Sequence, residues 1–274
     1  MGEGPCWDYR ESVLWWVDIP RGLLHRYDPL AKAQSSHELG EPVGTVALRR
    51  SGGLVLATQS GFGYWGPFAH THVADVDAND RTRRMNDGRV DANGRLWAGT
   101  MATDHTPRAG TLYRLDRDWT VRAMISGVTI SNGVDWSLDG RTMYYVDSST
   151  QTVSAFEYDV DTGAIRNPQP WVRVPERLGH PDGLTVDADG HVWVALWGGG
   201  QIHRYDPAGR LVAVLELPVP LVTHCTFGGR DLNELYVTTA ARPVEGIANS
   251  SPLAGALFHC RLNVQGRRAN LFAG

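Results

Sequence analysis

Short apolar runs of five or six residues recur along the chain, separated by turns rich in Gly, Asp and Asn. The clearest unit runs from His180 to Trp197. Leu184-Thr185-Val186 alternates apolar and polar faces, and Val192-Trp193-Val194-Ala195-Leu196 is β-branched and aromatic. Both patterns are those of strands. Between them, Asp187-Ala188-Asp189-Gly190 supplies side chains that bond the local backbone and a glycine free to take positive φ. The unit therefore reads as a hairpin, and Asp182, between Pro181 and Gly183, stands at its entrance. Helical periodicity is absent throughout.

The second strand of this hairpin recurs as Leu14-Trp15-Trp16-Val17, Leu54-Val55-Leu56-Ala57, Leu96-Trp97-Ala98-Gly99, Met143-Tyr144-Tyr145-Val146, Val192-Trp193-Val194-Ala195 and Leu235-Tyr236-Val237-Thr238. Their first residues are 14, 54, 96, 143, 192 and 235, so the steps are 40, 42, 47, 49 and 43. A third strand follows each hairpin, as in Leu23–Asp28 and Gln201–Asp206, and a fourth is legible in Leu211–Leu215. Four strands repeating every 40 to 50 residues predict β-propeller blades, and six repeats predict six blades. The expected fold is all-β: one six-bladed propeller domain over residues 1–274, with four-stranded antiparallel blades around a central channel. A β-sandwich does not require six matched units. A sialidase-type propeller, whose turn motif also joins Asp, Gly and Trp, is the nearest rival.

Composition narrows the function classes. A net charge of −4 gives no support to a nucleic-acid or anionic-membrane partner. No apolar run approaches the roughly 20 residues of a membrane span, and the Met1-Gly2-Glu3 opening does not resemble a signal peptide. Cys6, Cys225 and Cys260 are odd in number and lack metal spacing, which fits reduced thiols in a cytoplasmic protein.

In a propeller the first strands of all blades face one channel. Counting back 9 to 11 residues from each second strand selects Glu3, Asn86 and Asp87, Asn132, Asp182 and His224, while the second blade offers only Val43-Gly44-Thr45. Carboxylates crowded together repel unless a cation compensates them. Carboxylate and amide oxygens without thiolate suit a hard divalent ion such as Ca²⁺, Mg²⁺ or Mn²⁺. Taken singly, each of these residues serves equally well as a turn former; recurrence at equivalent places in four blades favours a shared metal site.

Other conspicuous residues read as structural. Asp91 and Asp187 sit in Val-Asp-Ala turns, Asp18 and Asp147 end second strands and either reach the channel or cap a ladder, and His25 and His203 recur in third strands, where packing is expected. Gly198-Gly199-Gly200 joins two strands with no helix behind it, so it is not a nucleotide loop.

Several motifs together resemble the regucalcin, gluconolactonase and senescence-marker-protein lactonases. They are Glu3-Gly4-Pro5-Cys6-Trp7, Arg84-Met85-Asn86-Asp87-Gly88-Arg89-Val90-Asp91, Gly99-Thr100-Met101, Ser131-Asn132-Gly133-Val134-Asp135-Trp136, Pro181-Asp182-Gly183 and Phe227-Gly228-Gly229. The likeness spans essentially the whole chain, and Ala195–Gly199 with Ser251–Gly255 resembles the bacterial sugar-lactonase branch. The resemblance implies one divalent cation held by Glu3, Asn132 and Asp182, with Asp182 also the proton acceptor. Ca²⁺ is the first choice, and Zn²⁺, Mn²⁺, Mg²⁺ and Fe²⁺ are alternatives. It further implies that Arg84 and Asn86 bind a sugar lactone, and Asp104 stands where the family carries a substrate-binding Glu, one methylene longer. Relatives usually carry a strand before Glu-Gly-Pro; here either residues 265–274 supply a closing strand or the sixth blade is thinner.

The implied chemistry is metal-assisted opening of an aldonolactone, with a carboxylate base taking the proton of water. Phosphotriester hydrolysis at the same metal, or ligand binding without turnover, are the alternatives. The expected partner is a small sugar lactone, with no nucleic acid or membrane, and the expected state is a monomer or weak homo-oligomer.

Overall fold

The computed structural model describes residues 1–66, 69–241, 246–247 and 249–274. It is all-β, a six-bladed β-propeller built from six antiparallel sheets. The first blade holds β1 (Gly2–Asp8), β2 (Val13–Asp18), β3 (Leu23–Asp28) and β4 (Ala33–Glu38). The second holds β5 (Val43–Leu48), β6 (Leu54–Thr58), β7 (Gly61–Trp65) and β8 (His70–Asp75). In the third are β9 (Arg83–Val90), β10 (Leu96–Ala102), β11 (Gly110–Leu115) and β12 (Val121–Val128). The fourth contains β13 (Ser131–Trp136), β14 (Thr142–Asp147), β15 (Thr152–Tyr158) and β16 (Ile165–Arg173). The fifth contains β17 (His180–Val186), β18 (Val192–Trp197), β19 (Gln201–Tyr205) and β20 (Leu211–Glu216). The sixth has three strands among the described residues: β21 (Val222–Gly228), β22 (Glu234–Thr239) and β23 (Phe258–Arg261).

One turn device recurs between first and second strands. Asp187 Oδ1 accepts from the backbone N–H groups of Asp189 and His191, at 3.0 and 2.8 Å, and Oδ2 accepts from Trp193 Nε1 at 2.9 Å. Asp91 makes the same three bonds to Asn93 N, Arg95 N and Trp97 Nε1, at 2.9, 3.0 and 3.0 Å. Each carboxylate thus closes its turn and fixes the indole of the following strand, as buried polar groups require. Arg95 and Arg204 neutralise the two charges. The first blade lacks a glycine in this turn, and Ser12 takes the left-handed conformation instead, at φ 57°.

A second device recurs in the first strands. The β17–β18 register slips between Pro181 and Leu184, leaving one extra residue at Asp182-Gly183. Slips at equivalent places fall at Gly44 in β5, Asn86-Asp87 in β9 and Thr223 in β21. A bulge bends the strand and re-aims a side chain that would otherwise alternate regularly between faces. In β9 and β17 this irregularity sits on the polar residues selected from sequence, and in β21 it falls beside His224.

The chain divides into two compact units, residues 1–5 with 132–268 and residues 6–131 with 269–274. The larger apolar clusters of the first are built on Tyr144, Val186, Val194 and Leu196, and on Trp193, Phe227, Leu235 and Val237. In the second, Ala47, Phe62, Met85, Leu96 and Leu115 pack around the fully buried Phe272. Residues 265–274 add no strand to the sixth sheet. Within the first unit, Gln265 O accepts from Ala188 N, and Arg267 donates to Asp135 Oδ1 at 2.9 Å and to Val186 O. Within the second, Phe272 forms a parallel bridge with Arg49, and Gly274 O accepts from the Arg49 guanidinium. Of the two sequence expectations, the thinner sixth blade is the one found among the described residues.

Candidate metal and substrate sites

The first unit holds three of the oxygen donors selected from the first strands. Glu3 in β1, Asn132 in β13 and Asp182 in β17 are only 3, 4 and 5% exposed. Asn132 and Asp182 are tied by a short relay. Asn132 Nδ2 donates to Ser148 Oγ at 2.7 Å, and Ser148 Oγ donates to the Pro181 carbonyl at 2.6 Å. With the amide nitrogen committed to Ser148, Oδ1 is the atom of Asn132 that can offer a lone pair to a cation. Backbone approach is close as well: a Cβ on Gly133 would lie 2.8 Å from the Asp182 carbonyl oxygen.

The same contacts continue to β21 and β1. A Cβ on Gly183 would lie 2.2 Å from the His224 ring, so only glycine fits beside Asp182. His224 is buried, with Nδ1 held 2.7 Å from Cys225 N. The adjacent Thr223 Oγ1 donates to Gly2 O at 2.7 Å, which anchors β1 immediately before Glu3. Glu3 Oε2 accepts from Gly4 N at 3.1 Å, and Gly4 takes a positive φ of 52°. Two buried carboxylates and one amide oxygen form a hard donor set, which fits a divalent cation of the Ca²⁺ or Mg²⁺ kind.

The second unit holds the other predicted residues. Arg84 Nη1 donates to Asn86 Oδ1 at 2.6 Å, and Asn86 Nδ2 donates to Ser131 O at 2.7 Å. Asn86 is buried and fixes the guanidinium, while Thr45 Oγ1 donates to the Asn86 carbonyl at 2.8 Å. Gly44, the second-blade position without a polar side chain, has a packing reason. A Cβ there would lie 2.2 Å from the Asn86 carbonyl oxygen. Asp87 Oδ1 accepts from Gly88 N at 2.7 Å. Asp104 lies in the exposed loop after β10, the strand whose Met101 pairs with Arg84. Its Oδ1 accepts from Thr106 N and Oγ1, and these bonds lower its pKa.

Comparison with known proteins decides the family. Residues 1–241 match the model of the SMP-30/Gluconolactonase/LRE-like region. Regucalcin of Xenopus laevis is 39% identical, over all of this chain and 95% of that protein. The chain belongs to the SMP-30/gluconolactonase/LRE-like family. Among solved structures, a calcium-binding regucalcin from Agrobacterium tumefaciens superposes with a TM-score of 0.94 at 29% identity, covering 99% of this chain and 93% of that one. A luciferin-regenerating enzyme superposes at 0.92 with 31% identity, covering 98 and 94%. Membership in this family, which includes gluconolactonases, gives general support to a lactonase role. Among the described residues, no helix is long and apolar enough to cross a membrane.

Within this family member, a second group of candidate metal ligands, Asp187, Asp189 and His191, lies in the β17–β18 turn. Both Asp187 oxygens already serve the turn, Trp193 and Arg204, so the group reads as the latch described above. His25 and His203 also pack as expected: His25 stacks on Trp16, and His203 bonds Tyr205 and Gln201. Asp147 caps the turn after β14, accepting from Ser149 N and Oγ. The residue missed in the sequence was Ser148. Its only signal was its position directly after the second strand of the blade that carries Asn132.

Proposed function

We propose that this chain hydrolyses a sugar lactone of the aldonolactone class to the open sugar acid. The observation that carries the reading is the buried Glu3, Asn132 and Asp182 set in a chain of the gluconolactonase-like family. Glu3, Asn132 and Asp182 are assigned to one divalent cation, Ca²⁺ first, in keeping with the calcium-binding relative. Such a cation, when bound, polarises a carbonyl and acidifies water. Asp182 takes the proton from the attacking water, and its place in a bulge, beside a glycine, keeps the carboxylate clear of the regular ladder. Asn132, oriented by Ser148, contributes a neutral oxygen, so the site holds two carboxylate charges rather than three.

Arg84 and Asn86 are assigned to the sugar. The guanidinium presents several donors in a rigid plane suited to hydroxyl and carbonyl oxygens, and Asn86 preorders it. Asp104 is assigned a further sugar contact, reached from an exposed loop. Turnover of an aldonolactone panel, with a phosphotriester as comparator, tests the reading with and without chelator. Chelator-sensitive opening of at least one lactone, lost in Asp182→Asn, is expected. Absence of lactone opening by the metal-loaded protein, or opening that survives chelation, overturns it.

A further inference from the structure

The turn that carries Ser148 makes a second contact with the strand of Asp182. Ser148–Thr150 is a single 3₁₀ turn, capped at its start by Asp147 and closed by Gln151, whose N–H donates to Ser148 O. Gln151 takes the left-handed conformation at φ 55°, which is uncommon outside glycine. Its carbonyl accepts from Val174 N at 2.8 Å, and its Nε2 lies 2.8 Å from His180 Nδ1. The start of β17 is thereby fastened twice to one turn, at His180 by Gln151 and at Pro181 by Ser148.

An amide nitrogen can only donate, so His180 Nδ1 is the acceptor and the neutral ring carries its proton on Nε2. His180 is exposed, whereas Pro181 and Asp182 are buried, so β17 runs inward from its first residue to the candidate ligand. Two residues of extended strand span roughly 7 Å. An N–H donor of fixed tautomer is thus held about that far outward of the Asp182 carboxylate. Ser148 already docks the strand through Pro181 O, and an exposed imidazole adds no burial. What the Gln151 contact adds is a set direction for one N–H.

We propose that His180, positioned by Gln151, donates through Nε2 to the outer hydroxyl of the substrate and makes the site prefer longer-chain aldonolactones. The proposal rests on the lactonase reading, in which the carbonyl meets the cation assigned to Glu3, Asn132 and Asp182. With that end held at depth, the hydroxyl chain extends toward the exposed start of β17. A lactone with one more hydroxyl-bearing carbon reaches the imidazole, and a shorter one leaves it to water. A bond made equally in ground and transition states supports binding rather than the chemical step, so it appears in KM. One neutral hydrogen bond contributes about 3 to 10-fold.

Steady-state kinetics on lactones matched in ring configuration are the test. The pairs are D-gluconolactone with D-xylonolactone, and D-galactonolactone with L-arabinonolactone, each differing by one carbon and its hydroxyl. The unaltered chain should favour the longer member in kcat/KM. His180→Ala should lower that preference about 3 to 10-fold, through KM rather than kcat. Gln151→Leu, which releases the imidazole, should lower it in the same direction. His180→Gln, which keeps an N–H donor at similar reach, should restore part of it. Metal affinity and melting temperature of His180→Ala should match those of the unaltered chain, because the side chain is exposed. A preference unchanged in His180→Ala, or one for the shorter lactones from the start, overturns the proposal and leaves the lactonase reading standing. So does a loss that falls equally on both members of a pair or comes with weakened metal binding, since the Gln151–His180 contact then only docks β17. A chain that opens no lactone at all overturns the lactonase reading and the role of His180 with it.

Discussion

Asn132 and Ser148 are joined by a 2.7 Å hydrogen bond from the amide nitrogen of one to the hydroxyl of the other. The hydroxyl in turn donates a hydrogen bond to the Pro181 carbonyl, one residue before Asp182. Under the proposed assignment, Ser148 sets which atom of Asn132 would face a cation, and it links the strands that carry the two candidate ligands. Partners of this kind typically govern metal affinity about 10 to 100-fold. Ser148→Ala should weaken metal binding by that order in titration calorimetry, while turnover at saturating metal changes much less. Unchanged affinity would show that Asn132 is oriented by other contacts.

Asp182 is assigned both ligation and proton transfer, so Asp182→Asn should lose more activity than Asn132→Ala. Proton transfer by a positioned group typically contributes about 10² to 10⁴-fold. The fold should persist in circular dichroism, because Asp182 lies at a bulge rather than in an apolar cluster. Near-normal lactone opening by the metal-loaded variant would remove Asp182 from the chemistry.

Removing the cation should lower the melting temperature as well as the activity. With metal at about a hundredfold over its dissociation constant, the linked stabilisation is roughly 2.7 kcal/mol. Identical calorimetric melting in metal and in excess chelator would mean that the folded chain holds no cation tightly.

Asp187→Ala should be among the most damaging single changes, although it lies outside the assigned ligands. It leaves Trp193 Nε1 and two backbone N–H groups without their acceptor, and the largely buried Arg204 with only its 3.5 Å contact to Asp189. Breaking a buried pair on one side costs about 3 to 5 kcal/mol. The expected outcome is a large fall in melting temperature with activity per folded molecule retained. A stable but inactive variant would instead point to a ligand role for the Asp187, Asp189 and His191 group.

Stability should decline in two steps on acidification. Burial holds His25, His70 and His203 below the ordinary histidine value of 6.5. Protons then bind more readily to the unfolded chain, so stability present above 6.5 is lost as pH falls through and below it. Asp8 and Asp116 form the second step. Burial pushes both up, but bonds and charge from Arg10, and from Arg114 with Arg122, carry them below the ordinary 3.8. Their contribution holds above that value and disappears beneath it. Melting temperatures measured from about pH 7.5 to 3 should resolve both descents. A flat profile between pH 7 and 5 would show that the three histidines protonate as easily folded as unfolded.

The blade plan was legible because the strands that carry it are buried. All six second strands fall where the repeats placed them, from Val13–Asp18 to Glu234–Thr239. Fourth strands such as Ala33–Glu38 and His70–Asp75 escaped notice because, exposed on both faces, they carry no alternation. Residue types also gave the position of Asp182 and of Asn132. They did not give the bulge at Asp182-Gly183 or the Ser148 relay, since a register slip depends on the neighbouring strand and leaves no pattern of its own. Gly44 looked like a position lacking its polar residue, and it is instead the space that the Asn86 backbone occupies.

Phe272 is fully buried in a cluster whose other members run from Ala47 to Leu115. A ribosome adds roughly 5 to 20 residues per second, so the socket that Phe272 fills stands open for on the order of ten seconds after Leu115 is made. Arg49 and Leu48 wait equally long for the backbone partners that the same segment brings. The earliest-synthesised blades thus emerge as an incomplete body, with an apolar socket exposed to any nascent-chain binder. Their apolar cluster is completed only once residue 272 has been added.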